Sequence, residues 1–320
     1  MTTILVSGAS GIVGYGVLRS LQDHNYNLIA TSIYKSSPAN CFSDCFEIAP
    51  KTTDIGYVQW LIETIQKHDV DMIIPCIEDD MFLWNEHRSL LAKYTYPLLN
   101  SCELIRNCAD KWSFYQKLVQ KLPQCCIDSS LSNDFNVLVK KYGLPFILKP
   151  RRGFGSKGIV LVSDENVFNK YKSRIGQYLM AQKFVGDVDH EYTVSAFFDE
   201  NSKLLASQQL KRKLSKAGYT ESAESVSLDS ITPILTNLAS VFHPVGPTNF
   251  QFREDNGDLK LLEINPRISS STSIRAKFGY NEAEMSVQYF LRKELIAQPL
   301  LRSGKAYRYV EDFVTYTDLI

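Results

Sequence analysis

The sequence predicts an α/β domain built on a parallel sheet, followed by an α+β region in two parts. Three observations carry that prediction. Apolar runs alternate with helix-period segments over the first hundred residues. A lysine-ended apolar run at 146–149 opens into a glycine-rich turn. From residue 178 the chain reads mainly as strands, with the turn Asp255-Asn256-Gly257-Asp258 marking a hairpin.

Residues 3–7 form an apolar run that breaks into Gly8-Ala9-Ser10-Gly11, after which Ile12, Val13, Val17, Leu18 and Leu21 recur at helical spacing. Strands are then expected at 28–32 and 72–75, and helices at 57–67 and 81–91. Helices at 111–121 and 135–142 precede the strands 146–149 and 159–162, a hairpin with residues 151–158 as its loop. Further strands are expected at 179–184, 191–198, 204–211, 249–253 and 259–264. Boundaries near 100 and 185 give three regions: 1–100, 101–185 and 186–320.

Lys plus Arg equals Asp plus Glu at 35 each in 320 residues, so no overall field draws the chain to nucleic acid or an anionic membrane. No apolar stretch approaches bilayer length and the first residues lack a basic-then-apolar leader, which makes the cytoplasm the expected location. The seven cysteines, at 41, 45, 76, 102, 108, 125 and 126, read as reduced bystander thiols. Their spacing does not supply the close pairs of a zinc site.

The turn at 8–14 has the shape that holds a dinucleotide pyrophosphate, but the second strand ends in Thr31-Ser32-Ile33-Tyr34 with no acid for a ribose. Close packing is the preferred reading. Lys149-Pro150-Arg151-Arg152-Gly153, with Gly155, Ser156, Lys157 and Gly158, places amides and cations where phosphates bind. Along 249–252 and 261–267, alternation puts Gln251 on one face of its strand, and Glu263 with Asn265 on one face of the next. Their oxygens suit Mg²⁺ carried by a nucleotide. Lys211-Arg212-Lys213 reads either as a solvated edge or as a source of one cation for an acyl phosphate. Glu78-Asp79-Asp80 follows a parallel strand, where ligands sit, or serves as an acidic first helical turn, the favoured reading.

Taken in order, these motifs resemble the ATP-grasp superfamily from about residue 100 to 295, most of all the synthetase domains of the carbamoyl-phosphate synthase large subunit. The resemblance implies a Rossmann-like N-terminal domain followed by a two-subdomain ATP-grasp fold. It implies Lys111 and Lys149 at the α- and β-phosphates, with Gly153, Gly155, Ser156 and Gly158 in a lid over them. Gln182, Lys183, Phe184 and Val185 would offer backbone groups to adenine and Glu191 would hold the ribose. Gln251, Glu263 and Asn265 would bind Mg²⁺, with Mn²⁺ able to stand in. Arg267 would steady the transferred phosphoryl group, with Lys211 or Arg212 near the acyl phosphate.

The implied activity is ATP-dependent ligation of a small-molecule carboxylic acid to an amine through an acyl phosphate, releasing ADP and phosphate. No nucleic-acid or membrane partner is expected, and a homodimer is left open. The synthases carry a second arginine soon after the Asn-Pro-Arg string, whereas Ile268-Ser269-Ser270-Ser271-Thr272 follows here and Arg275 comes later. That departure weighs against the alternative of carboxyphosphate or carbamoyl phosphate formation. A nicotinamide-dependent dehydrogenase, or a nucleotide sensor without turnover, is the alternative of another class.

Overall fold

A computed structural model of the chain describes residues 1–153, 158–215 and 218–314. The first sheet is parallel in the order β3-β2-β1-β4-β5, from β1 (Thr2–Val6), β2 (Tyr26–Ser32), β3 (Cys45–Ile48), β4 (Met72–Ile74) and β5 (Tyr96–Pro97). Helices α1 (Ile12–Leu21), α2 (Tyr57–His68), α3 (Glu78–Glu86) and α4 (Arg88–Leu91) accompany it. Strand residues are buried on both faces, as a covered parallel sheet requires: Ile4, Val6 and Ala30 pack with α1, while Leu5, Ile29 and Ile73 pack with α2 and α3.

Two expectations shift here. The helix expected at 81–91 starts at Glu78 and breaks at His87. Its acidic first turn is anchored by Asp80, which accepts hydrogen bonds from Thr52 and Tyr57 at 2.6 and 2.7 Å. The edge strands β3 and β5 carry too little apolar alternation to stand out in the sequence.

Gly8 adopts φ +57°, and a Cβ there would lie 2.5 Å from Ile77 Cγ2. A Cβ on Gly14 would lie 2.7 Å from the Ala9 Cα. Gly8 is thus required by its positive φ and by Ile77 just before α3, and Gly14 by the close return of α1 onto the turn itself. Gly8→Ala is expected to cost about 1–3 kcal/mol through strain and overlap. A urea midpoint equal to that of the parent protein would refute this.

Next come α5 (Cys102–Cys108), α6 (Lys111–Lys121), β6 (Ser129–Ser130), α7 (Phe135–Tyr142), β7 (Phe146–Pro150), β8 (Val160–Val162), α8 (Glu165–Asn169) and β9 (Leu179–Lys183). The strands form a small antiparallel sheet in the order β6-β9-β7-β8 over its own core of Leu138, Phe146, Leu148 and Phe168. Helices α5 and α6 pack elsewhere. Leu104, Phe114 and Leu118 join the core of the large sheet.

That sheet has the order β14-β13-β10-β11-β12-β15, from β10 (Glu191–Phe198), β11 (Leu204–Leu214), β12 (Thr220–Val226), β13 (Gly246–Asp255), β14 (Asp258–Asn265) and β15 (Lys305–Tyr307). The 255–258 hairpin turn is as expected, with Asn256 and Gly257 both at positive φ. The reading of 178 onward as mainly strands missed α9 (Ile231–Phe242), whose Ile231, Leu235, Leu238 and Phe242 form one buried stripe. Pro233 obscures it but sits in the first turn, where its missing N–H has no intrahelical partner.

Helices α10 (Thr272–Lys277) and α11 (Glu282–Ser286) fold back onto α1, and α11 adds Ala283 and Met285 to the core under the first sheet. Gly16 of α1 lies so close that a Cβ would be 3.0 Å from Thr272 Cγ2. The N-terminal sheet and the large sheet thus share one core through residues 268–290, and the ends of β1 and β4 come to lie beside the start of β13 and the end of β14. No helix among the described residues is long and apolar enough to cross a membrane.

Candidate active site

Strands β13 and β14 pair Gln251 with Glu263 and Asn249 with Asn265. The register slips after Gln251, leaving Leu262 as an extra residue. This bulge lets the consecutive Leu262 and Glu263 line one cavity, which strict alternation would forbid. The Asn265 amide donates to Glu263 Oε1 at 3.1 Å, and its own oxygen accepts from Arg267 at 3.3 Å.

Three adjoining cavities share these residues. One, of about 990 Å³, lies between the small and large sheets and has Lys111, Lys149, Gly153, Gln251 and Glu263 in its wall. Its apolar end is built from Ile127, Ile147, Phe184, Val185 and Leu262. A second, of about 650 Å³, adds Glu78 and Asn265 to Lys111, Lys149 and Glu263. The third, of about 1030 Å³, opens toward the N-terminal sheet, with Gly11–Val13, Cys76 and Glu78 facing Arg212, Asn249 and Arg267. Glu263 belongs to all three.

The ammonium of Lys149 is the most perturbed cation there. Burial, helped by the charge of Lys111, lowers its pKa to about 8, against the pull of Glu263. Lys111 starts α6, donates from its Nζ to the Gly153 carbonyl, and holds the exit of β7 by a backbone bond to Arg151 at 2.8 Å. Gly153 itself needs its glycine conformation, φ +101°. Glu78 reaches across from the N-terminal sheet and accepts from Arg267 at 2.9 Å. Burial pushes its carboxyl above the usual range while Arg267 pulls it back.

Glu191 is buried in the wall of the inter-sheet cavity, its two oxygens paired with Arg212 at 2.8 Å and Arg253 at 2.7 Å. Arg212 also donates to Gln251 at 2.7 Å, so the triad sets the orientation of that amide. Glu191→Ala would leave two guanidinium groups without their carboxylate and is expected to cost about 3–5 kcal/mol. A denaturation midpoint within error of the parent would contradict it.

Among residues singled out from the sequence, Lys111, Lys149, Gly153, Gln182, Lys183, Phe184, Val185, Glu191, Gln251 and Glu263 all line the inter-sheet cavity. Asn265, Arg212 and Arg267 line the neighbouring one. The amides of Phe184 and Val185 lie beyond the last ladder pair of β9 and have no backbone acceptor among the described residues. Lys211 does not join the group. It lines none of the three cavities and opens instead on a surface cavity with Lys213, Glu224 and Lys305, which Arg212 borders as well. Arg151 and Arg152, expected near phosphates, instead pair with Asp110 at 2.8 and 2.9 Å, because this helix-capping carboxylate lies beside the turn. Gly158 lines none of the three cavities. Gly155 and Ser156 lie outside the described residues.

Glu78 is the main residue whose place the sequence reading undervalued, since the helix-dipole explanation sufficed for it there. Asn249 and Arg253 were visible as same-face neighbours of Gln251, two residues to either side.

A parallel-sheet domain, a small antiparallel sheet and a large one, with lysines and oxygen-bearing side chains between the last two, give the architecture of the ATP-grasp fold. The chain carries an ATP-grasp domain behind a PylC-like N-terminal domain. Residues 179–313 match the family described as ATP-grasp in the biosynthetic pathway with Ter operon, and residues 11–98 match the PylC-like N-terminal domain.

Among curated relatives, the carbamoyl phosphate synthase large chain of Methanosarcina barkeri is 24% identical over 311 residues, covering 88% of this chain and 28% of its own length. That of Neisseria meningitidis is 21% identical, covering 87% and 29%. The chain thus spans under a third of these relatives. Among solved structures, N5-carboxyaminoimidazole synthetase from Staphylococcus aureus with ADP superposes with TM-score 0.72 at 19% identity, covering 94% of this chain and 80% of that one. Biotin carboxylase from Campylobacter jejuni gives 0.71 at 17%, covering 90% and 70%. The L-amino acid ligase from Bacillus licheniformis gives 0.67 at 16%, covering 94% and 75%.

Proposed function

We propose that the protein is an ADP-forming, ATP-dependent carboxylate–amine ligase. The observation that carries this reading is the meeting of Lys111, Lys149 and Gly153 with Gln251 and Glu263 in one cavity that opens beside Arg267 and Glu78. Adenine fits the apolar end by Phe184 and Val185, with Glu191 at the ribose, and the two lysines receive the phosphates. The carboxylate of Glu263 and the amide oxygens of Gln251 and Asn265 form a hard oxygen set that fits Mg²⁺, and Mn²⁺ after it. Bound there, the ion would neutralise charge on the transferred phosphoryl group. For Asn265 to share a cation with Glu263, its amide turns over from the orientation that now donates to that carboxylate.

Arg267 faces the developing acyl phosphate, and Glu78 keeps its guanidinium oriented. The cavity by the N-terminal sheet admits the acid and the amine, with Gly11–Val13 as its far wall. Phosphoryl transfer asks mainly for positioning and charge neutralisation, which this set supplies without a nucleophilic side chain. Substrates are small molecules, and neither nucleic acid nor membrane enters the scheme. Screening ADP release over carboxylic acids crossed with amines and amino acids tests the reading. Release that needs both partners supports it, whereas ATP turnover indifferent to every acid would contradict it.

Bicarbonate as the acid is the second reading, favoured by the likeness to a biotin carboxylase domain solved with MgADP and bicarbonate. Against it, Arg275 is fully buried and donates to the Gln208 and Thr193 carbonyls, so it offers no second arginine to a substrate. ADP release driven by bicarbonate without an organic acid would favour this reading.

A further inference from the structure

Far from these cavities, on the free edge of the first sheet, three different metal-ligating groups meet. Cys45 and Glu47 are two apart on β3 and so share a face, and His68 is the last residue of α2. His68 Nε2 lies 2.6 Å from Glu47 Oε1 and 4.0 Å from Cys45 Sγ, and the three ligand atoms lie within 4.8 Å of one another. Among the described residues the thiol has no other polar partner. The imidazole and carboxylate are mostly shielded, at 16% and 20% side-chain exposure, yet open enough to be reached.

We propose that Cys45, Glu47 and His68 form a binding site for a Zn²⁺-class transition-metal ion, distinct from the nucleotide site. A tetrahedral Zn²⁺ with ordinary bond lengths separates a sulfur and a nitrogen ligand by about 3.6 Å, and a nitrogen and an oxygen by about 3.3 Å. Closing the present sulfur–nitrogen gap slightly and opening the hydrogen-bonded pair reaches that geometry by side-chain movement alone. Thiolate and imidazole select this ion over Mg²⁺ or Ca²⁺, and three protein ligands leave a fourth position for water. Lys67, whose Nζ also sits 2.6 Å from Glu47 Oε1, is mostly exposed at 63% and free to swing away as the ion takes over its charge. The bound ion would clip an edge strand to the end of its covering helix. The cysteine spacing hid this site, because the histidine comes 23 residues later and only the β3–α2 crossover brings it back.

Titrating the full chain with Co²⁺, with a non-thiol reductant present, tests the proposal. One equivalent should bind with a thiolate-to-cobalt charge-transfer band and tetrahedral visible bands, and Zn²⁺ should displace it. Cys45→Ser should abolish the charge-transfer band, His68→Gln should weaken binding at least about tenfold, and Glu263→Ala should leave both intact. Circular dichroism checks that each variant is folded. A band that survives Cys45→Ser, or no saturable binding up to millimolar Co²⁺, would overturn the site.

Discussion

Glu263→Ala is expected to lower ADP release by on the order of 10³-fold or more while the protein stays folded. Glu263 lies in all three cavities and is the only carboxylate of the oxygen set opposite Lys111 and Lys149. Its one hydrogen bond in the set comes from Asn265, so truncation opens space at a cavity wall and leaves the core of the large sheet intact. The loss should appear in turnover, with circular dichroism and the denaturation midpoint little changed. A folded variant with near-parent activity would remove Glu263 from the site.

The second large effect is expected at Lys149, where function and stability should move in opposite directions. Lys149→Met removes a cation from the phosphate end and should weaken nucleotide binding by on the order of 10²-fold. The same change should stabilise the free protein at neutral pH by about 1–3 kcal/mol, because a buried ammonium with its pKa lowered to about 8 is held in the fold at a cost. The sign of the pH dependence follows. The unfolded chain keeps this proton up to the ordinary lysine range, whereas the folded one releases it near pH 8. Between those values the unfolded state binds more protons, so the stability of the parent protein should rise with pH there. Lys149→Met should abolish that rise. Urea midpoints from pH 7 to pH 10 measure it, and parallel profiles for parent and variant would show that Lys149 is not a strained cation.

Much of the fold was legible because periodicity and turn chemistry are local. The strand-turn-helix at Gly8–Gly14, the 255–258 hairpin and the 191–198 strand needed only nearby residues. What escaped depends on tertiary packing. Edge strand β3 is only four residues long, too short for its Phe46–Ile48 alternation to announce it, and α9 hides behind Pro233. At the site, motif and alternation were enough to bring out Gln251, Glu263 and Asn265. They could not separate Lys211 from Arg212, since that needs the strand's facing, nor foresee that Asp110 would claim Arg151 and Arg152. Glu78 reaches the site only because residues 268–290 dock the first sheet against the large one.

Whether the inter-sheet cavity holds Mg-ATP is decided by calorimetric titration of the parent protein with a non-hydrolysable ATP analogue, in the presence and absence of Mg²⁺, with NAD⁺ and NADP⁺ as comparison ligands. Saturable binding of the ATP analogue in the micromolar range is expected, strengthened by Mg²⁺ and lost in Lys149→Met, with no heat from either nicotinamide nucleotide. Absence of ATP-analogue binding, or micromolar NAD⁺ binding that disappears when Gly8 and Gly11 are replaced by alanine, would contradict it.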